Sequence, residues 1–362
     1  MGLAKTFLET IGLSPGSNMA DDKSGRILDA NVTADLIAFL GTMRAGKTTH
    51  ACGLLSCAQY KASGSAKTSK KFKVFLDEGG TNILHEIGEL RAGHFPDATT
   101  AGKRLSVRPG FTLEFENPTF FGSHLTTRRQ VKSSILDLAG EDLVQMITQV
   151  KSVRSFADAS KIAINDQLTS TVNQCTALFV TIKATRGEGL PEEIFEPEPS
   201  DIDGMSTHSD ANLARMISAI VQFKHNNPYS PRLKRFYIIV TACDMLFPIA
   251  KTISQITGRP FDPLNPTVSN DSLDTFVQAF FPSTHATICS LGIKTRYFPS
   301  YFEIEKDALG KPIYWEGTKK SKIKRGNIFD TPDWEHNVNR PKCTEYWFNE
   351  EINALEELSV AV

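Results

Sequence analysis

The stretch GTMRAGKTT, residues 41–49, constrains the fold more than any other part of the chain. It places four residues between Gly41 and Gly46 and follows them with Lys47 and Thr48. An apolar run that stops at a glycine, DLIAFLG, comes directly before it and is typical of a buried parallel strand. The following residues, GKTTHACGLLSCAQY, have apolar side chains at helical spacing. The stretch therefore predicts a tight turn between a buried strand and a helix.

The residue types in this turn are those that hold a polyphosphate. Glycines let the backbone curl so that successive N–H groups point inward, and the helix start adds the positive end of its dipole. Lys47 can then reach the outer phosphates, and the Thr48 hydroxyl suits Mg²⁺, which prefers octahedral oxygen ligands. The alternative is a glycine-rich turn that only links strand to helix. The residues expected to bind phosphate are Gly41, Arg44, Ala45, Gly46, Lys47, Thr48 and Thr49.

A second motif, SSILDLAGED, follows further along the chain. Asp137 stands at the end of an apolar strand, where a buried carboxylate is costly without a partner. Mg²⁺, bound directly or through water, would be such a partner, so Asp137 is a predicted metal ligand. Gly140 follows at the DxxG spacing, where its backbone N–H could bond a γ-phosphate. The alternative is a strand-end Asp137 that caps a helix.

A third motif, YIIVTACDML, indicates which base the site would accept. Thr241 and Asp244 come directly after the most β-rich run in the chain. A carboxylate at this point can accept hydrogen bonds from guanine N1 and N2, which adenine cannot supply. Thr241 and Asp244 are therefore expected to border a guanine base.

Taken in order, GxxxxGKT, a loop threonine, DxxG and a TxxD sequence resemble the motifs of the P-loop GTPases. The similarity is greatest to the Ras/Gα-like (TRAFAC) branch, in which a strand lies between the loop threonine and DxxG. The segment GHFPDATTAGKR resembles the first switch of bacterial double-GTPase-like proteins, which carry a Gly-aromatic-Pro run before the threonine. The resemblance covers residues 34–304 through motifs rather than continuous identity.

This resemblance implies roles for further residues. Thr99, with Thr100 as the close rival, would close over the γ-phosphate and Mg²⁺. Ser300 would lie in the last base-contact loop, where a backbone N–H meets the guanine oxygen. The implied catalytic residues are Lys47, Thr99, Gly140 and Glu141, and the implied metal ligands are Thr48, Thr99 and Asp137.

The chain also departs from the family pattern. Ala242 replaces the lysine whose stem normally lies along the base, which leaves an ATPase of the same fold as an alternative. Glu141 stands where many Ras-like enzymes have a water-orienting glutamine, so hydrolysis is expected to be slow or stimulated by a partner. A pseudo-GTPase scaffold is the second alternative. Arg128 and Arg129 could lie near phosphate or be surface cations.

Strand and helix patterns alternate along the chain, which predicts an α/β, doubly wound, mostly parallel sheet. The predicted units are an N-terminal extension (1–33), a P-loop GTPase-like domain (34–304) and a C-terminal tail with a basic loop and a terminal helix (305–362). KASGSAKTSKKFK reads as a surface loop, and RGEGLPEEIFEPEPSDIDG as an exposed acidic insertion. The acidic and basic loops could dock a partner or simply be solvated.

Bulk composition excludes several classes of protein. The net charge of −1 implies no general attraction to nucleic acid or to an anionic membrane. The sequence contains no run of about 18 apolar residues and no secretion-type N-terminus, so a cytoplasmic protein without stable membrane insertion is expected. Its six scattered cysteines suit reduced thiols. The start MGLAKT loosely fits an N-myristoylation pattern, which is left open.

Together these features predict a protein that binds GTP or GDP with Mg²⁺, hydrolyses GTP and acts as a conformational switch. The expected partner is a protein effector or complex subunit, and no nucleic-acid partner is expected.

Overall fold

The computed structural model describes residues 14–15, 33–42, 45–65, 71–76, 83–87, 106–118, 126–137, 166–196, 209–301 and 343–360. The strands are β1 (Ser14–Pro15), β2 (Thr33–Gly41), β3 (Lys71–Leu76), β4 (Ser106–Pro118), β5 (Thr126–Asp137), β6 (Ala177–Lys183), β7 (Arg235–Thr241) and β8 (Thr295–Ser300). The helices are α1 (Lys47–Ser65), α2 (Asp166–Gln174), α3 (Ser209–Asn226), α4 (Ala250–Thr257), α5 (Ser269–Phe280), α6 (Pro282–Ser290) and α7 (Cys343–Val360). Two 3-10 helices span Ala184–Arg186 and Cys243–Ile249.

The described strands form one sheet in the order β1-β3-β4-β5-β2-β6-β7-β8. Strands β5, β2, β6, β7 and β8 are parallel to their neighbours in this series. β4 is antiparallel to both β3 and β5. Because parallel strands require crossover connections, the order confirms the predicted mostly parallel, doubly wound α/β sheet. β2 lies in its middle, so the turn that follows β2 starts at the centre of the sheet edge.

Alternating residues of the central strands face two separate apolar cores. On one face, Ala38, Val180 and Ile238 belong to a core that includes residues of α3, α5 and α6. On the other face, Phe39, Phe179 and Ile239 belong to a core that includes residues of α1 and α7. The strands read as continuous apolar runs because both of their faces are buried.

Two sequence expectations were wrong in part. The surface loop predicted from residue 61 begins as helix, because α1 continues to Ser65, and it ends as strand β3 from Lys71. The insertion predicted to be exposed from residue 186 begins as packed structure. Gly187 brings the backbone so near α5 that an added Cβ would lie 2.7 Å from the Phe280 Cβ. Glu188 N–H donates to the Phe280 carbonyl at 2.8 Å, and Leu190 is buried.

Helix α7 belongs to the core although it lies in the predicted C-terminal tail. The Tyr237 hydroxyl on β7 donates to the Ala354 carbonyl at 3.0 Å. Within the described ranges no helix is both long and apolar enough to span a bilayer. The apolar face of α7 that enters the core consists of Trp347, Phe348, Ile352, Ala354, Leu355 and Leu358.

Buried thiols and phenols make the fold sensitive to alkali. Burial raises the pKa of Cys175 from its usual 9.0 to about 11, against the nearby charge of Lys224 and a backbone hydrogen bond. Burial also raises the pKa of Cys243, of Tyr237 and of Tyr297. Each of these groups therefore keeps its proton in the folded state at a pH where the unfolded chain has lost it.

We expect the free energy of unfolding to fall as the pH rises from 9 towards 11. In this window the unfolded state binds fewer protons than the folded state, so stability declines with pH. Cys175 alone, shifted from 9.0 to about 11, contributes a loss of about 3 kcal/mol. Urea unfolding at pH 8, 9, 10 and 11 measures the decline. Burial lowers the pKa of Lys224, which acts in the opposite direction, so Cys175→Ala should flatten the slope, and an unchanged slope contradicts the assignment.

Candidate nucleotide site

The described residues on either side of positions 43 and 44 form the end of a strand and the start of a helix, as the sequence predicts. β2 ends at Gly41 and α1 begins at Lys47. Ala45 N–H donates to the Thr42 carbonyl at 3.2 Å, and Gly46 has a φ of +86°. An α-helix leaves its first N–H groups without partners inside the helix. The start of α1 therefore presents backbone donors at the centre of the sheet edge.

Lys47 lies over this turn rather than in solvent. Only 5% of the residue is exposed. Its Nζ donates to the Gly41 carbonyl at 2.9 Å and to the Thr42 carbonyl at 3.0 Å. A buried ammonium group is costly unless it is hydrogen-bonded, and the loop carbonyls meet that need here. An anion bound at this turn could draw the same ammonium away from the carbonyls.

Both glycines of the turn are required, Gly41 by a close neighbour and Gly46 by its backbone conformation. A Cβ on Gly41 would lie 2.0 Å from Thr181 Oγ1 and 2.7 Å from the Thr181 carbonyl oxygen. Gly46 adopts the left-handed region, and a Cβ there would lie 3.4 Å from Thr241 Cβ. Thr181 Oγ1 in turn donates to the Leu40 carbonyl at 3.0 Å. Residues at the ends of β6 and β7 therefore pack against the two glycines of the turn.

Thr241 connects the predicted base-binding motif to the glycine loop. Its hydroxyl lies 2.7 Å from the Ala45 carbonyl and 3.3 Å from the Ile182 carbonyl, so it can donate to either. The chain then turns at Ala242, which has a left-handed φ of 54°. Asp244 follows, half-buried, in the first turn of the 3-10 helix. The structure thus places Asp244 three residues beyond a direct contact with the loop.

Some of the other predicted residues are placed by the structure, and the rest lie outside the described residues. Thr48 and Thr49 are half-buried in the first turn of α1, and Ser300 is buried at the end of β8. β5 ends at Asp137, and its register with β2 pairs Ile135 with Phe39, so two residues further Asp137 is level with Gly41. Five predicted residues lie outside the described residues: Arg44, Thr99, Thr100, Gly140 and Glu141.

The structure adds a buried arginine that sequence reasoning missed. Only 1% of the Arg186 side chain is exposed. Its Nη1 donates to Thr42 Oγ1 at 3.4 Å, and its Nη2 lies 3.6 Å from Glu196 Oε1. Burial opposes ionisation of Glu196, but the hydrogen bond and charge of Lys183, with the charge of Arg186, lower its pKa. Arg186 follows the apolar strand β6. Asp137 and Asp244 are identified in the sequence because they stand at or just after the end of an apolar strand, and the same criterion could have identified Arg186.

His50 is the second residue that the sequence did not indicate. It lies one turn into α1, where its backbone N–H donates to the Gly46 carbonyl at 2.8 Å. Its ring contacts Ser300 and Glu351, which are 250 and 301 residues away in the chain. No short-range pattern in a single sequence indicates contacts at that separation.

The donors at this edge suit a magnesium ion better than a softer metal. Thr48 offers a hydroxyl oxygen and Asp137 a carboxylate, which are the ligand types that Mg²⁺ prefers. β5 and β2 are adjacent and parallel, so both residues come from the same edge of the sheet. Among the described residues, no three His, Cys, Asp or Glu side chains form a group that could hold a metal ion. The two oxygen donors fit an ion that keeps several waters.

The strand order and the described residues of the glycine turn together define the class of fold. A parallel sheet with the glycine loop between its central strand and the next helix, and with a buried lysine at the helix start, is the P-loop NTPase fold. No known family profile matches the chain, and no curated protein matches it. These two comparisons therefore give no family name.

Solved structures with partial similarity include two of the Saccharomyces cerevisiae Ski7 GTPase-like domain. The first, bound to GDP and inorganic phosphate, is 13% identical, with a TM-score of 0.30. The second, bound to GTP, is 13% identical, with a TM-score of 0.29. Each alignment covers 86% of this chain and 52% of the other, so the chain spans about half the length of these relatives. The fold class rests on the topology above rather than on these alignments.

Proposed function

We propose that this protein binds GTP with Mg²⁺, hydrolyses it to GDP and switches the conformation of a surface that a protein partner recognises in the cytoplasm. The observation that carries the proposal is the buried Lys47 over the glycine loop at the start of α1. An ammonium, a helix N-terminus and backbone donors at one point favour a polyphosphate over other anions. The Thr241 contact joins this loop to the strand end from which the base would be selected.

The phosphates would be bound at the helix start. Lys47 would exchange its two carbonyl acceptors for phosphate oxygens, which bear more negative charge. Gly41, Arg44, Ala45, Gly46 and Thr49 would surround the phosphates with backbone groups. This exchange places a cation where negative charge develops when the terminal phosphate leaves, and such preorganised charge is a large part of catalysis.

The base would be selected at the end of β7. An ionised Asp244 accepts from guanine N1–H and N2–H but offers no donor that adenine N1 needs. Thr241 holds the neighbouring loop in place, and Ser300 marks the end of the adjacent strand β8. Ala242 contributes a turn and no long side chain along the base, so the affinity for guanine would depend mainly on Asp244.

Thr48, Thr99 and Asp137 would hold Mg²⁺, which would neutralise charge on the phosphates. Glu141 would orient water less well than an amide does, because an ionised carboxylate accepts but does not donate. Hydrolysis would therefore be slow, or completed by a group from a partner. Thr99 and Gly140 would engage the γ-phosphate and release when it leaves, which is the switch. In the chain, β4 comes after Thr99 and before Gly140, and it pairs with β5. The Ras/Gα-like branch likewise has a strand between its loop threonine and DxxG.

A direct test is competition between nucleotides for the purified protein, with a fluorescent GTP as the probe. We expect unlabelled GTP to displace it at least about a hundredfold better than ATP, because adenine leaves the Asp244 carboxylate without donors. Asp244→Asn should lose about that factor for GTP and recover binding to xanthosine triphosphate, whose O2 accepts from the new amide. Asp271→Asn, an exposed substitution in the first turn of α5, is the matched control.

The outcomes also separate the alternatives. Equal displacement by ATP and GTP would favour the ATPase. Tight GTP binding without phosphate release in a single-turnover assay, with or without candidate partners, would favour the pseudo-GTPase scaffold.

A further inference from the structure

Three buried polar side chains connect helix α7 to the first turn of α1 and to the end of β8. His50 Nδ1 lies 2.9 Å from Ser300 Oγ, and His50 Nε2 lies 2.9 Å from Glu351 Oε2. The side chains of His50 and Glu351 have no solvent exposure, and Ser300 is 4% exposed. We refer to these three residues as the polar relay.

Burying the carboxyl group of Glu351 at this position costs free energy. Burial raises the pKa of its carboxyl group, and the charge and hydrogen bond of His50 only oppose that effect. Its second oxygen, Oε1, has no hydrogen-bond partner among the described residues. Apolar residues often replace a buried ion pair without loss of stability. Helix α7 already docks through a large apolar face, so it does not need Glu351 for stability. The presence of Glu351 is better explained by the geometry that the polar relay imposes on His50.

Either distribution of protons fixes the same geometry. With Glu351 ionised, His50 donates from Nε2–H, and the Ser300 hydroxyl donates to Nδ1. With Glu351 protonated, the carboxylic acid donates to Nε2, and Nδ1–H donates to Ser300. In both cases the imidazole ring is held at each nitrogen, by residues from two different elements.

The polar relay borders the phosphate loop on two sides. His50 closes the first turn of α1 through its backbone bond to Gly46. Ser300 is paired in the sheet with Thr241, whose hydroxyl can donate to the Ala45 carbonyl. A shift of His50 would therefore be transmitted to the helix start and to the strand ends that flank the loop.

We propose that His50 is a positioning residue for nucleotide binding and that Glu351 orients it, so that docked α7 raises the affinity for nucleotide. This inference rests on the nucleotide-binding function proposed above. His50 holds the helix turn whose N–H groups face the phosphates, and it holds Ser300 beside the expected base. By linkage, bound nucleotide tightens the docking of α7 by the same factor.

The test compares two ways of weakening the attachment of α7. Glu351→Leu removes the relay, Glu351→Gln keeps a hydrogen bond to His50, and Tyr237→Phe removes the separate bond from β7 to Ala354. We expect Glu351→Leu to weaken fluorescent GTP binding about tenfold, within the usual range of coupling between sites. Glu351→Gln should lie between it and the wild type. KM should rise with the dissociation constant while kcat stays within about twofold, since binding is altered uniformly.

Tyr237→Phe is the matched control and should leave the affinity within about twofold, because its bond to Ala354 involves neither His50 nor Ser300. Equal weakening by Glu351→Leu and Tyr237→Phe would mean that only helix docking matters, and the inference would be overturned. A wild-type chain that fails to bind GTP would instead remove the proposed function.

A second measurement needs no variant. Hydrogen exchange of residues 343–360 in the wild type should slow about tenfold when GTP is added, as the reciprocal coupling requires. Unchanged exchange in α7, with GTP shown to be bound by fluorescence, would overturn the inference even if the Glu351 variants did not fold.

Discussion

Lys47→Met is expected to abolish GTP hydrolysis while leaving the chain folded. The side chain is buried and its ammonium donates to two loop carbonyls, and methionine can occupy its volume. Losing one preorganised charge at a reacting phosphate costs at least about a hundredfold in rate. Two carbonyls lose a donor and a buried charge is removed, so we expect the free energy of unfolding to change by no more than about 2 kcal/mol.

Lys61→Met is the control for this change, because Lys61 lies on the same helix and donates to Asn353 Oδ1 at 3.0 Å. Single-turnover phosphate release measures the rate, and urea unfolding measures stability. Hydrolysis by Lys47→Met at the rate of Lys61→Met would remove Lys47 from the mechanism.

Gly41→Ala is expected to destabilise the fold strongly. The new Cβ would lie 2.0 Å from Thr181 Oγ1 and 2.7 Å from a backbone oxygen, and the backbone cannot rotate away as a side chain can. Separating β2 from β6 at this point also breaks the Thr181 bond to Leu40. We expect a loss of about 3 kcal/mol, at the upper end for overpacking.

The comparison for Gly41→Ala is Gly258→Ala, since a Cβ at Gly258 meets nothing within 4 Å and only its φ of +67° is strained. We expect a loss of about 1 kcal/mol there. Denaturant midpoints with a constant m-value would measure both. A smaller loss at Gly41 than at Gly258 would contradict the close packing of β2 against β6.

The central part of the fold could be predicted because its signals are local. The apolar run before Gly41, the glycine turn and the helical spacing after Lys47 lie within one short segment, and each follows from backbone sterics and burial. The strand ends at Thr241 and Ser300 could be placed for the same reason. The carboxyl ends of parallel strands meet at one edge, so residues that follow separate apolar runs come together.

The contacts that support the site could not be predicted in this way. The sequence predicts that Arg186 begins an exposed insertion, because acidic residues and prolines dominate the composition after it. The packing of Gly187 against α5 overrides that composition. His50 and Glu351 are 301 residues apart, and neither stands in a motif. Residues of this kind are found only when the topology brings distant segments together.

The position of α7 has a consequence for biosynthesis. Until residues 343–360 have left the ribosome, one face of the central sheet lacks helix α7. The rings of Phe39, Phe179 and Phe298 lie in the core to which α7 contributes, so they are then partly uncovered. A nascent chain stalled before this point would expose a large apolar surface, which chaperones would bind. Translation of α7, rather than of the glycine loop, would set the moment at which this face of the sheet can be covered.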